Sequence, residues 1–156
     1  MTNTLEASVD IDATPDAVWQ VVSDLERMGR WSPQCKTMKV FGGPIRRGSR
    51  TVNVNRKGRL VWPTSAKVIR FEPARAIAWR VTENHTIWTY ELTPTETGTR
   101  VTERREAPTG TTKISSFLVD KFMGGTADFE VYMIAGMNTT LSRIKSEVEA
   151  AAAPAR

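Results

Sequence analysis

Tyr90, Glu103 and Arg105 are the side chains in this sequence best suited to handle protons or carbonyl groups, and each sits in an alternating segment. Residues 86–93 put Trp88, Tyr90 and Leu92 on one face of a strand, and residues 75–83 do the same for Ile77, Trp79 and Val81. In residues 99–106 the clearest apolar residue is Val101, and a period of two brings Glu103 and Arg105 to its face, leaving Thr102 and Arg104 on the other. If the apolar members of each strand face the interior, that interior gains aromatic walls and a carboxylate–guanidinium pair. Such a pair is costly out of water unless its hydrogen bonds are met. A guanidinium there can hold a ligand carboxylate or polarised carbonyl through two parallel hydrogen bonds. The competing reading ends the core before Glu103, leaving both charges wet and Trp79, Trp88 and Tyr90 as plain core.

Other chemistry is sparse. His85 is the sole histidine, stands beside Asn84 between two strands, and reads as a surface turn residue. Cys35 is the sole cysteine, so neither an internal disulfide nor a cysteine-based metal site can form. Gly42-Gly43 and Gly124-Gly125 lack the spacing of a phosphate loop, and Ser115-Ser116 and Thr139-Thr140 read as caps or surface positions. No cofactor and no metal are expected.

The elements that must position these residues follow from pattern. A strand at 5–11 carries Leu5, Ala7, Val9 and Ile11 on one face. Thr14 is an N-cap with Pro15 at the first helical position, and Val18, Val21, Val22 and Leu25 form one stripe before a second helical turn that ends at Trp31. Trp19 and Trp31 read as structural. Strands follow at 36–42, 49–56, 59–71, 75–83, 86–93 and 99–106, with a turn at Lys57-Gly58 and a hairpin at Thr97-Gly98. The period then becomes helical to about Ala152, along Leu118, Phe122, Phe129, Met133, Met137, Leu141, Ile144 and Val148. The paired glycines at 124–125 break it into a shorter piece and a long helix from about 126. Phe129, Met133 and Met137 on that stripe are further candidate lining residues, with packing as the plainer role for a helical methionine.

The chain has 156 residues, a net charge of +5 and five tryptophans, with a mean hydropathy of −0.35. That length suits one domain with a sizeable core. No segment has the length of a membrane span and the N-terminus is not a signal peptide, so a cytoplasmic location is expected. Basic residues concentrate at 45–60, including Arg46, Arg47, Arg50, Arg56, Lys57 and Arg59. No nucleic-acid motif or interleaved aromatic platform accompanies them, so a solvated edge is preferred over a nucleic-acid surface.

The segments DATPDAVWQVVSDLERMGRWSP, FEPARAIAWRV and TIWTYELTPTETGTRVTERRE, in this order, resemble the START-like (SRPBCC) superfamily and within it the polyketide cyclase/dehydrase group. The resemblance covers nearly the whole chain. It implies an α+β helix-grip fold, a curved seven-stranded antiparallel sheet wrapped around a long C-terminal helix, with two short helices between strands 1 and 2. One domain would span 1–152, with a disordered tail at 153–156. It also implies a cavity between sheet and helix for a small hydrophobic or aromatic molecule, lipid-like or polyketide-like, lined by Trp79, Trp88, Tyr90, Glu103, Arg105, Phe129, Met133 and Met137.

The first functional reading is therefore a binding protein without cofactor. The rival is a polyketide cyclase or dehydrase using Tyr90, Glu103 and Arg105; the family's catalytic residues do not map onto this chain position by position. A third reading is a regulatory interaction protein using the basic hairpin. A pocket carboxylate of raised pKa separates the first two, because catalysis needs it and storage does not. Ligand identity and oligomeric state stay open at this stage.

Overall fold

Thr14 starts the first helix as its sequence position demands. Its Oγ1 accepts from the Ala17 N–H at 3.2 Å, and Pro15 opens α1 (Pro15–Val22), where a missing N–H costs no helical bond. α1 buries Val18, Trp19, Val21 and Val22. A 3-10 turn, Leu25–Arg27, leads into the short α2 (Met28–Trp31), whose Trp31 is 1% exposed. The computed structural model describes residues 3–107 and 125–152.

The strands are β1 (Asn3–Ile11), β2 (Cys35–Phe41), β3 (Arg50–Lys57), β4 (Leu60–Glu72), β5 (Ala76–Val81), β6 (Ile87–Pro94) and β7 (Thr99–Ala107). They form one antiparallel sheet in the order β1-β7-β6-β5-β4-β3-β2. From β2 to β7 the sheet is a meander of sequence neighbours. Only β1 pairs out of order, closing onto β7 with Val9 opposite Val101. Gly58, at a φ of +60°, makes the tight β3–β4 turn that a side chain would strain. Bulges sit in β2 between Cys35 and Thr37 and in β4 between Val68 and Arg70.

The long helix α3 (Gly125–Ala152) does two different jobs along its length. Leu141, Ile144 and Val148 join the main core with α1, Trp31 and the inner faces of β4 to β7. Met133 and Met137 instead pack on Leu5, with Phe129, Tyr132 and Trp88 half-buried around them. Full burial of each large apolar side chain stabilises the fold by roughly 1.5–3 kcal/mol, so the C-terminal half of α3 anchors the element. Its N-terminal half is left to roof a space. The expected shorter helical piece carrying Leu118 and Phe122, Ser115-Ser116 and the tail at 153–156 lie outside the described residues.

One general expectation is overturned. Apolar residues do not face inward on every strand. On β3 the buried positions are Thr51, Asn53 and Asn55, while Val52 and Val54 are exposed at 47% and 38%. The reason is what β3 faces: its inner side looks across a cavity rather than onto packed side chains.

Candidate functional site

A cavity of about 620 Å³ lies between the sheet and the N-terminal half of α3. Trp79, Trp88, Tyr90, Glu103, Arg105, Phe129, Met133 and Met137 all line it. Register brings the polar members together. Tyr90 pairs with Glu103 and Trp88 with Arg105, with no shift along β6–β7 or β1–β7. Val101, Glu103 and Arg105 are all buried, so the parity read from Val101 holds and the wet-charge alternative is excluded. Arg104 points to the outer face and pairs with Glu6 at 2.9 Å.

The expected ion pair within this set does not form. Same-face neighbours on a strand can pair, as Arg70 and Glu72 do on β4, but Glu103 and Arg105 turn to different neighbours. Glu103 instead accepts a hydrogen bond from the Tyr90 hydroxyl, Oη to Oε1 at 3.3 Å, and its Oε2 is buried with no partner among the described residues. Burial lifts the Glu103 carboxyl to about 8, against the smaller opposing effect of the Tyr90 bond. At neutral pH it is therefore mainly a neutral acid. Burial, and then the neighbouring Glu103, push the Tyr90 phenol well above its ordinary value. The Arg105 guanidinium sits 5.4 Å from the Phe129 ring centroid and 6.0 Å from that of Trp88. Among the described residues it has no ion-pair partner. The aromatic faces stabilise the cation, and among the described residues none accepts a hydrogen bond from its side chain.

The opposite wall was not foreseen. Asn53 and Asn55 both donate through Nδ2 to Thr64 Oγ1, at 3.2 and 2.9 Å, and Thr51 Oγ1 donates to Asn53 Oδ1 at 2.9 Å. Asn53, Asn55 and Thr64 line the cavity together with Trp62, Met28 and Tyr132. The only signal in the text was the alternation Thr-Val-Asn-Val-Asn, which hydropathy reads the wrong way round. Cys35 also borders the cavity, and burial raises its thiol to about 11, so it stays protonated and is a poor nucleophile.

The remaining sequence readings sort simply. Trp19 and Trp31 belong to the core, Trp19 meeting Phe71 edge-on at 5.2 Å between centroids. His85 is exposed in the β5–β6 turn at a φ of +60°. The basic hairpin is not wholly remote, because Lys57 Nζ lies 4.6 Å from the ring centroid of Tyr132 at the cavity. Among the described residues no three His, Cys, Asp or Glu side chains converge as a metal site requires, and no helix is long and apolar enough to cross a membrane.

Known proteins agree with this architecture. A solution structure of a Polyketide_cyc-like protein from Corynebacterium glutamicum is 32% identical, with a TM-score of 0.62 over 96% of this chain and 93% of that one. The Zhui aromatase/cyclase from Streptomyces sp. R1128 aligns with a TM-score of 0.76 at 16% identity, over 96% of this chain and 94% of that one. The di-domain aromatase/cyclase StfQ of the steffimycin biosynthetic pathway aligns with a TM-score of 0.75 at 13% identity, over 97% of this chain and 52% of that one. These last two speak for the helix-grip fold alone. No curated protein matches the chain. Residues 2–149 match the family described as polyketide cyclase / dehydrase and lipid transport, and with the Corynebacterium likeness this match makes the chain a member of that family.

Proposed function

We propose that this protein binds an elongated, mainly apolar small molecule, lipid-like or polyketide-like, in the cavity under α3. The observation that carries the reading is a space of about 620 Å³ with aromatic and methionine walls and one buried polar atom, Glu103 Oε2, left without a partner among the described residues. Pockets of that size with a few convergent polar groups are the usual form of small-molecule sites. Arg105 would hold an acidic or carbonyl group. The amide and hydroxyl groups of Asn55 and Thr64 would meet a hydroxyl or carbonyl at the other wall. The strands β7 and β3 stand four strand spacings apart, roughly 19 Å along the curved sheet, which is the most that a ligand would have to span to touch both. In this reading residues 1–152 act as one domain.

The test is native mass spectrometry of freshly purified protein, joined to titration with an environment-sensitive apolar fluorophore. A retained small-molecule mass, or low-micromolar probe binding that quenches tryptophan emission, is expected. A folded protein that neither carries a ligand nor binds any probe would show that side chains fill the space.

A second reading, a cyclase- or dehydrase-type enzyme on the same ligand, is favoured by one observation: the Glu103 carboxyl is neutral near pH 7 and hydrogen-bonded to Tyr90. A neutral carboxyl at the wall can give its proton to a ligand carbonyl oxygen or a departing hydroxyl, with Arg105 steadying the negative charge that develops. Turnover of a poly-β-carbonyl substrate that declines as pH rises through about 8, and is lost in Glu103→Gln, would favour catalysis. Binding that survives Glu103→Gln, with no turnover by the unmodified protein, would favour storage or transfer.

A further inference from the structure

Cross-strand arginines on the outer face of the sheet are treated in two ways. On the β1–β7 side each faces an acid in register. Arg100 stands opposite Asp10 and bonds it at 2.8 Å, and Arg104 stands opposite Glu6 and bonds it at 2.9 Å. At one rung across β3, β4 and β5 the pattern is the reverse, although Arg70 further along β4 pairs with Glu72 and Glu91. Arg50 stands opposite Lys67, and Lys67 stands opposite Arg80, so three exposed cations form one rung across three adjacent strands. Like charges directly opposite on a sheet repel and destabilise it.

Nothing among the described residues compensates this rung. Arg47, Arg50, Lys67 and Arg80 make no ion pair with a described carboxylate. Continuing along the rung, Arg80 faces Ile87, and the next acid, Glu106, lies beyond it. Glu83, just past β5, spends both carboxylate oxygens on Ser65. The cations instead border a shallow groove with Arg47, Thr82 and His85. The groove contains no acid and lies on the face opposite the cavity.

We propose that this groove is a second binding site, for the phosphate group of an anionic ligand, with Arg50, Lys67 and Arg80 as its contacts. Two guanidinium forks and an ammonium suit the several terminal oxygens of a phosphate better than a single carboxylate. A bound phosphate supplies the negative charge that the β1–β7 side draws from Asp10 and Glu6. The site is independent of the cavity and of any reading of its ligand.

The test uses inorganic tripolyphosphate at constant ionic strength, set with sodium chloride, on the intact chain. Calorimetric titration is expected to give micromolar binding. Lys67→Met should weaken it at least tenfold, and Arg59→Gln, a basic control at the β3–β4 turn, by less than twofold. In chloride alone Lys67→Met should keep or raise Tm, because it removes repulsion; a lowered Tm would mean the rung is internally compensated and would overturn the proposal. Equal losses from the two substitutions would reduce the effect to general charge attraction, and no binding would end it, unless vesicles bind. Flotation with phosphatidylcholine vesicles containing phosphatidic acid provides that arm. Binding there and not to tripolyphosphate, abolished by Lys67→Met, assigns the phosphate to a lipid headgroup, whereas the opposite result assigns it to a soluble compound. Failure of both probes overturns the site.

Discussion

β3 and β7 are alternating strands of one sheet that look into one cavity, and both turn polar side chains toward it. They differ in chemistry. β3 presents Asn53 and Asn55, neutral groups that both bond Thr64, with buried Thr51 bonding Asn53 behind them. β7 presents Glu103 and Arg105, ionisable groups that do not bond to each other, with one carboxylate oxygen unmatched among the described residues. A satisfied neutral network can line a cavity at little cost, whereas a buried ionisable group pays in desolvation whenever it carries charge. The comparison teaches that the β3 wall can be held by the protein alone, while the β7 wall is tuned by pH and, on the proposed reading, completed by a ligand.

The largest test of this contrast is the pH dependence of stability. The Glu103 carboxyl lies near 8 in the fold against an ordinary 4.5. An acid raised by folding stabilises the folded state fully below its unfolded pKa, and that contribution disappears as pH climbs through the folded one. Stability should therefore fall between pH 4.5 and 8, by at most about 5 kcal/mol. Glu103→Gln should flatten that slope in urea denaturation at pH 4.5, 6 and 8. An unchanged slope in the variant would place the titrating group elsewhere.

Next in size is a residue that belongs to neither wall. Trp31→Ala should cost roughly 3–5 kcal/mol, as a buried large-to-small change. The protein that remains folded should bind its ligand normally. Full stability with lost binding would show that the α2 end, and not β3 and β7, governs the cavity.

Arg105→Ala should weaken an acidic ligand by about 1.5–3 kcal/mol and its methyl ester far less, the usual worth of a charged hydrogen bond. Arg104→Ala, one position along on the outer face, should change affinity almost not at all. On β3, Asn53→Ala should destabilise by about 1–2 kcal/mol, because it strands the Thr51 hydroxyl. Unlike the β7 change, this loss should be the same at pH 5 and pH 8. A pH-dependent loss would erase the distinction between the walls. The smallest effects are expected at the hairpin. Arg56→Glu and Arg59→Glu should leave affinity unchanged in moderate salt, where exposed charges are screened beyond about 8–10 Å. Lys57→Glu should weaken binding slightly through its contact with Tyr132.

The β7 wall could be read from the text and the β3 wall could not, for a physical reason. Val101 has an unambiguous place in the core, and a strand of unbroken register transmits that parity to Glu103 and Arg105. The same logic places Trp79, Trp88 and Tyr90, and the helical period places Phe129, Met133 and Met137. In β3 every apolar residue points outward, because the inner side faces a cavity that polar groups line. Hydropathy marks what is packed against other residues, and a space marks nothing in the sequence. The missing Glu103–Arg105 pair has a similar origin: parity fixes a face but leaves open which neighbour a side chain bonds, and Tyr90 was directly across.

The out-of-order pairing of β1 shapes how the chain reaches this state. β2 to β7 can assemble as successive hairpins as each emerges, but β1 must wait until β7 is made and then search across the whole meander. Such non-local closure slows folding and leaves partly assembled chains vulnerable. Until β1 arrives, β7 is an open edge, the kind of strand that templates aggregation. Arg100 and Arg104 line the outer face of that edge. Partners of Asp10 and Glu6 in the finished sheet, they are charges of the kind that discourage edge-to-edge addition for as long as β7 stays open.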